Sequence, residues 1–234
     1  MAFRLISAVW GPEKSGKTHF ALTFPEPIHF LNYDYGLEDL MSQFPGKRII
    51  PHNIGEDDPY SLDNLLGESP KVPMMKKVLT IYRDSMREAG KEGGTVVVDT
   101  FGQMRQTISD GTLAEIIEKR IGTKTEGMVY PFDYAKSNFV TGEVIRMAYK
   151  IEGVSLVLIH RASPIYDEKG NDTGRVKMSG WHEVPAAVAV TVKTYRDPKG
   201  EFKMRIESCR KDPNAAGMEL DNPGFETLRG LLED

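Results

Sequence analysis

The chain has 234 residues, 40% hydrophobic and 27% charged, which suits one globular domain over residues 1–234. No apolar run approaches the roughly 20 residues that cross a bilayer, and a single cysteine, Cys209, excludes an internal disulfide framework and a cysteine-rich zinc site. The formal net charge of −4 does not advertise affinity of the whole molecule for nucleic acid.

The charge is uneven. Glu56, Asp57, Asp58, Asp63 and Glu68 follow one another without a Lys or Arg between them, whereas residues 193–211 carry seven Lys or Arg against three acids. Either both stretches are solvated faces, or the second is an anion-binding or subunit-contacting surface. The N-terminus leads directly into the first structural motif, leaving no room for a cleavable signal peptide, so a cytoplasmic location is expected.

In chain order, a first strand is predicted over Phe3 to Val9, then a glycine loop and a short helix from Lys17 to Thr23 that stops near Pro25. A second strand runs from Ile28 to Tyr33, and residues 45–73 read as loop with room for short structure. Met75, Val78, Leu79, Tyr82 and Met86 form the apolar stripe of a helix ending at Gly90, Gly93 and Gly94. Thr95–Asp99 is a β-branched run of the kind covered on both faces. Helices follow over about Gln103–Arg120, weakened at Gly111, and Tyr134–Ile151. Val154–Ile159 is a fourth buried strand, residues 161–182 read as a long loop, and Ala187–Tyr195 with Phe202–Ser208 as an antiparallel hairpin. The expected fold is α/β, a mainly parallel sheet flanked by helices with a C-terminal antiparallel hairpin.

The chemistry concentrates in Gly11, Pro12, Glu13, Lys14, Ser15, Gly16, Lys17 and Thr18. This is the spacing of a phosphate cradle: the glycines let backbone N–H groups turn inward around a phosphate, Lys17 reaches the β- and γ-phosphates of ATP, and the Thr18 hydroxyl ligates Mg²⁺. Asp99, ending a buried strand, is placed to hold the same Mg²⁺. Asp34 ends the second strand and is the candidate general base, with Glu38 as a substitute; the alternative is a turn aspartate before Gly36. His160, ending the fourth strand, is either a γ-phosphate sensor or a structural residue, and Arg161 beside it can take that role. Phe225, Leu228, Leu231 and Leu232 form a short apolar face expected to pack on the chain's own core.

With these residues placed, the chain resembles the RecA-like recombination ATPases. The glycine loop is similar to the family's phosphate loop, Phe30–Asp34 to the strand bearing its catalytic carboxylate, Val96–Thr100 to its magnesium-binding strand, and Leu156–Arg161 to its sensor strand. The resemblance is greatest to phage-encoded single-strand-annealing ATPases of the Sak group, in which case the compartment is the host cytoplasm. Aspartate stands at position 34 where the family has glutamate, and His160-Arg161 replaces the usual sensor. The first strand is expected to begin at residue 3, so the family's N-terminal oligomerisation domain is not expected here.

The resemblance implies an ATPase that forms a homo-oligomer, ring or filament, on single-stranded DNA, with a single-strand-binding protein as a further partner. It implies DNA contacts from residues 121–133, through Tyr130 and Phe132, and from 161–182, through Arg161, Lys169, Arg175, Lys177 and Trp181. Arg210 and Lys211 fall where the family supplies cations to a neighbouring subunit's nucleotide. Three other readings share the loop: a nucleotide or small-molecule kinase, which usually needs an arginine-rich lid; a partition-type switch, whose loop has lysine where this chain has Pro12; and a module that binds ATP without hydrolysing it.

Overall fold

The computed structural model describes residues 3–54 and 71–233. Six strands are parallel: β1 (Ile6–Gly11), β2 (Ile28–Asn32), β3 (Ile49–Asn53), β4 (Thr95–Asp99), β5 (Ser155–Tyr166) and β7 (Val190–Arg196). β8 (Phe202–Cys209) and β9 (Glu219–Asp221) continue the sheet antiparallel, giving the order β3-β2-β4-β5-β1-β7-β8-β9. β6 (Asp172–Met178) pairs only with the outer half of β5.

Helices cover both faces of the sheet. α1 (Lys17–Leu22), α2 (Glu38–Met41) and the C-terminal α7 (Phe225–Glu233) belong with one core, and α3 (Lys71–Glu92), α4 (Phe101–Lys119), α5 (Tyr134–Lys150) and α6 (Val184–Ala187) with the other. Strand residues alternate between the cores, as the period of two demands. Val96, Val98, Leu156 and Leu158 face α3, α4 and α5, whereas Val97, Val157 and Ile159 face α1 and α7. Phe225 and Leu228 are buried in the second core, as their apolar spacing predicts.

Three sequence expectations are corrected. Residues 45–73 were expected to be loop with short structure at most, and Ile49–Asn53 proves to be β3, an integral outer strand of the described sheet. Pro51 hides it from a propensity argument and is tolerated because an outer strand need not donate on both sides. The acidic residues Glu56, Asp57, Asp58, Asp63 and Glu68 lie outside the described residues. The expected loop 161–182 is instead largely a β-ribbon, with Ser163 opposite Lys177 and Ile165 opposite Arg175. Gly170 supplies a left-handed position in the turn at the tip, and Gly174 another within β6 where the ribbon's register shifts. Gly111 does not weaken α4: a side chain there would meet Met75, so the glycine lets α3 and α4 pack closely.

Candidate functional site

The glycine loop leaves the end of β1 and turns into α1. Lys14 and Gly16 both adopt positive φ, 56° and 87°, on either side of Ser15. Such alternation turns successive amides toward one side of the chain and makes an anion-binding concavity. A Cβ on Gly11 would overlap the Thr194 carbonyl, and one on Gly16 would overlap the Phe202 ring, so neighbours crowd both glycines, and the left-handed turn requires Gly16 as well. Pro12, Glu13 and Lys14 are exposed, while Ser15 is buried with its hydroxyl 2.8 Å from that of Thr194.

Lys17 folds back over this loop, donating to the carbonyls of Gly11 (3.1 Å) and Pro12 (2.6 Å). Burial pushes its pKa down, opposed chiefly by the nearby carboxylates of Asp99 and Glu13. Thr18 faces the sheet and its hydroxyl donates to Asp99 Oδ2 at 2.9 Å. That contact follows from register: Asp99 lies two residues beyond Val97, on the α1 face at the C-terminal end of β4. The Asp99 carboxyl is pushed up to about 6, mainly by burial and against the Thr18 hydrogen bond.

The same alternation separates His160 from Arg161. Arg161 is opposite Gly11 in the β1–β5 ladder and shares the α1 face with Ile159. Its guanidinium donates to both oxygens of Asp34 at 2.8 Å, so the candidate base is held by an ion pair in this state. Glu38, the substitute, accepts from Asn32 Nδ2 at 3.2 Å.

His160 is placed differently from its expected position at a strand end facing the loop. β5 runs six residues past it, and the ring turns to the α4 face, edge-on to Phe101 and only 1% exposed. Its Nδ1–H donates to the Ser179 carbonyl (2.9 Å), and burial pushes its pKa down to about 4, so it is neutral over the working range. It is a strand-packing residue at the root of the β5–β6 ribbon.

The residues expected to touch DNA divide. Tyr130 and Phe132 stack in parallel, centroids 5.3 Å apart, with the Arg120 guanidinium over both rings; Phe132 is 67% exposed. Arg120 is in turn fixed by a two-point ion pair to Asp133, which is what orders this loop. Arg175 and Lys177 lie opposite Ile165 and Ser163, on the ribbon face that includes Arg161, and Lys169 is exposed at the tip. Trp181 is a correction: it is 7% exposed and belongs to the core under α5 and α6, so it offers no ring to a base.

Arg210 and Lys211 follow the far end of β8. Phe202, at its near end, packs against Gly16, and seven residues of strand put the two cations about 23 Å away. They cannot serve their own loop. Arg210 donates to the Ala186 carbonyl and lies over Tyr149, and Lys211 lies over Phe3.

Three residues at the loop were not singled out from sequence: Thr194, Arg196 and Phe202, all from the β7–β8 hairpin. The hairpin itself is legible in the sequence, but which of its residues point at the loop depends on its bulged register.

Together, a cradle of backbone amides, one lysine and a hydroxyl–carboxylate pair suit a polyphosphate carrying a divalent cation. Among the described residues no three His, Cys, Asp or Glu side chains gather into a protein-only metal site. The Thr18–Asp99 pair offers a hydroxyl and a carboxylate, the donor chemistry of a site completed by phosphate oxygens rather than by protein alone. Comparison with protein-family models and with curated proteins found no match. Among the described residues no helix is long and apolar enough to cross a membrane.

Proposed function

We propose that the chain binds ATP·Mg²⁺ through residues 11–18 and hydrolyses it, as a RecA-like ATPase acting on single-stranded DNA. The observation that carries this reading is the 2.9 Å contact between Thr18 Oγ1 and Asp99 Oδ2, 81 residues apart, at the mouth of the loop. A buried carboxyl with its pKa raised to about 6 is the kind of perturbed group that gathers at functional sites, and a cation beside it would return it to the charged form.

Thr18 and Asp99 would hold Mg²⁺, which neutralises phosphate charge when bound. Lys17 exchanges its loop carbonyls for β- and γ-phosphate oxygens. Asp34 accepts a proton from the water that attacks the γ-phosphorus, the bond to the β,γ-bridging oxygen breaks, and ADP and phosphate leave. Arg161 is the cation on the same sheet face and serves the terminal phosphate once it leaves Asp34.

The DNA half of the proposal is supported by the stacked Tyr130–Phe132 pair, of which Phe132 is largely exposed, and by the cationic face of the β5–β6 ribbon. Because Arg210 and Lys211 lie at the other end of the sheet, they reach a nucleotide only in a neighbouring copy, which fits a head-to-tail homo-oligomer.

The test is ATP hydrolysis by wild type and Lys17→Ala, each with single-stranded DNA, double-stranded DNA or none. Several-fold stimulation by single strands alone, absent in the variant, is expected. A flat response across the three conditions favours phosphate transfer to a small acceptor or a nucleotide-binding module instead.

A further inference from the structure

The β7–β8 hairpin clasps the outer side of the glycine loop, away from where an anion would sit. Arg196 Nε donates to the Lys14 carbonyl at 3.0 Å, and Nη1 to the Gly200 carbonyl at 2.6 Å. The flat guanidinium lies 4.0 Å from the centroid of Phe202, its cross-strand partner, and Phe202 packs against Gly16. The hairpin tip is itself fixed, because Asp197 Oδ1 accepts from the amides of Lys199 and Glu201. Arg196 is thus set in place by the hairpin and not by the loop it touches.

Peptide geometry gives the contact a consequence. The 14–15 peptide is trans, so its carbonyl and its N–H point in opposite directions. A Lys14 carbonyl held outward by Arg196 turns the Ser15 N–H inward, into the concavity. The conformation held is a costly one, since Lys14 is a non-glycine residue at φ 56° and such residues persist where their surroundings over-determine them. Thr194 braces the neighbouring peptides, through the Ser15 hydroxyl and its contact with Gly11.

We infer that Arg196 is a positioning residue for phosphate binding, which orients the Ser15 amide toward the anion by holding the Lys14 carbonyl while never touching the ligand. This rests on the loop being a triphosphate site. It differs from an ordinary attractive cation: the effect is local to one peptide, equal for any ligand with the same phosphates, and independent of the base.

The experiment titrates Mg²⁺ with inorganic tripolyphosphate, and separately with ATP, into full-length wild type, Arg196→Ala, Arg196→Lys and Lys199→Ala. Lys199 is an exposed cation on the same turn and controls for long-range charge. The dissociation constant of Arg196→Ala is expected to rise about tenfold for both ligands. Arg196→Lys, which keeps a donor, should recover most of this, and Lys199→Ala should match wild type. In wild type the Ser15 amide proton should shift downfield on tripolyphosphate binding, and in Arg196→Ala that shift should be mostly lost, a signature that general destabilisation does not produce. Equal affinity in wild type and Arg196→Ala, equal weakening by Lys199→Ala, or an unchanged Ser15 shift would overturn the inference and leave the nucleotide reading standing. Wild type that binds neither ligand overturns both.

Discussion

Arg161 reaches across β4 to hold both carboxylate oxygens of Asp34 at 2.8 Å, in front of the buried Asp99. The ion pair is largely solvent-exposed, so its own contribution to stability is under about 1 kcal/mol. Its significance is chemical. If Asp34 takes the proton and Arg161 the terminal phosphate, Asp34→Asn and Arg161→Ala should each lower turnover by about 10²–10³ with little change in melting temperature. Steady-state phosphate release checks this. Because the two residues act as a unit, the double variant should lose much less than the product of the single losses.

Two buried groups titrate in opposite senses, alongside His19, His29 and His52, which burial also pushes down. Asp99 is raised from 3.8 to about 6, so the folded state holds its proton more tightly than the unfolded chain does, and its contribution is lost as pH rises through that window. His160 is lowered from 6.5 to about 4, so its contribution is present above 6.5 and lost as pH falls toward 4. Between pH 4 and 6 the two nearly cancel. Asp99→Asn removes one arm: unfolding free energy without nucleotide should then climb steeply from pH 4 to 6.5, by up to about 1.4 kcal/mol per pH unit. At pH 7 this variant should be more stable than wild type. Denaturant unfolding across pH reads both effects, and parallel curves for the two proteins would refute them.

Gly16→Ala puts a methyl group at φ 87° and into the Phe202 ring. Left-handed backbone costs a non-glycine residue about 1–2 kcal/mol, which for a chain of this size lowers the melting temperature by about 2–8 °C. Triphosphate affinity should fall with it, because relief of the overlap moves the clasp. Calorimetric melting and titration of the same sample measure both.

Trp181 and Phe132 separate burial from contact. Trp181→Ala should cost about 3–5 kcal/mol of stability as a core cavity. Phe132→Ala should leave stability almost unchanged and weaken single-stranded DNA binding by about 1–3 kcal/mol, the worth of one stacked base. Denaturant melts and fluorescence anisotropy at fixed salt tell them apart.

The sequence is most readable where chemistry demands one residue at one spacing. Gly11, Gly16, Lys17 and Thr18 declare the loop, and a β-branched run ending in Asp99 declares its partner strand, so their contact follows from topology alone. What sequence does not carry is side-chain direction where a strand's length is misjudged. His160 and Arg161 look equivalent at a strand end, but β5 continues, and a step of one residue sends His160 under Phe101 and Arg161 toward Asp34. Trp181 misleads because it closes a stretch rich in Gly and charged residues that reads as a surface loop, and only the return of the chain toward α6 buries it. Arg196 is invisible because its partner is a backbone carbonyl, which no residue type announces.

The most direct measurement is calorimetric titration of ATP into wild type and Asp99→Asn, with Mg²⁺ and with the metal chelated. Wild type should bind at least about tenfold more tightly with Mg²⁺, and the gain should vanish in the folded variant. ATP that does not bind wild type, or that binds both proteins equally with and without the metal, would contradict a triphosphate site closed by Thr18 and Asp99.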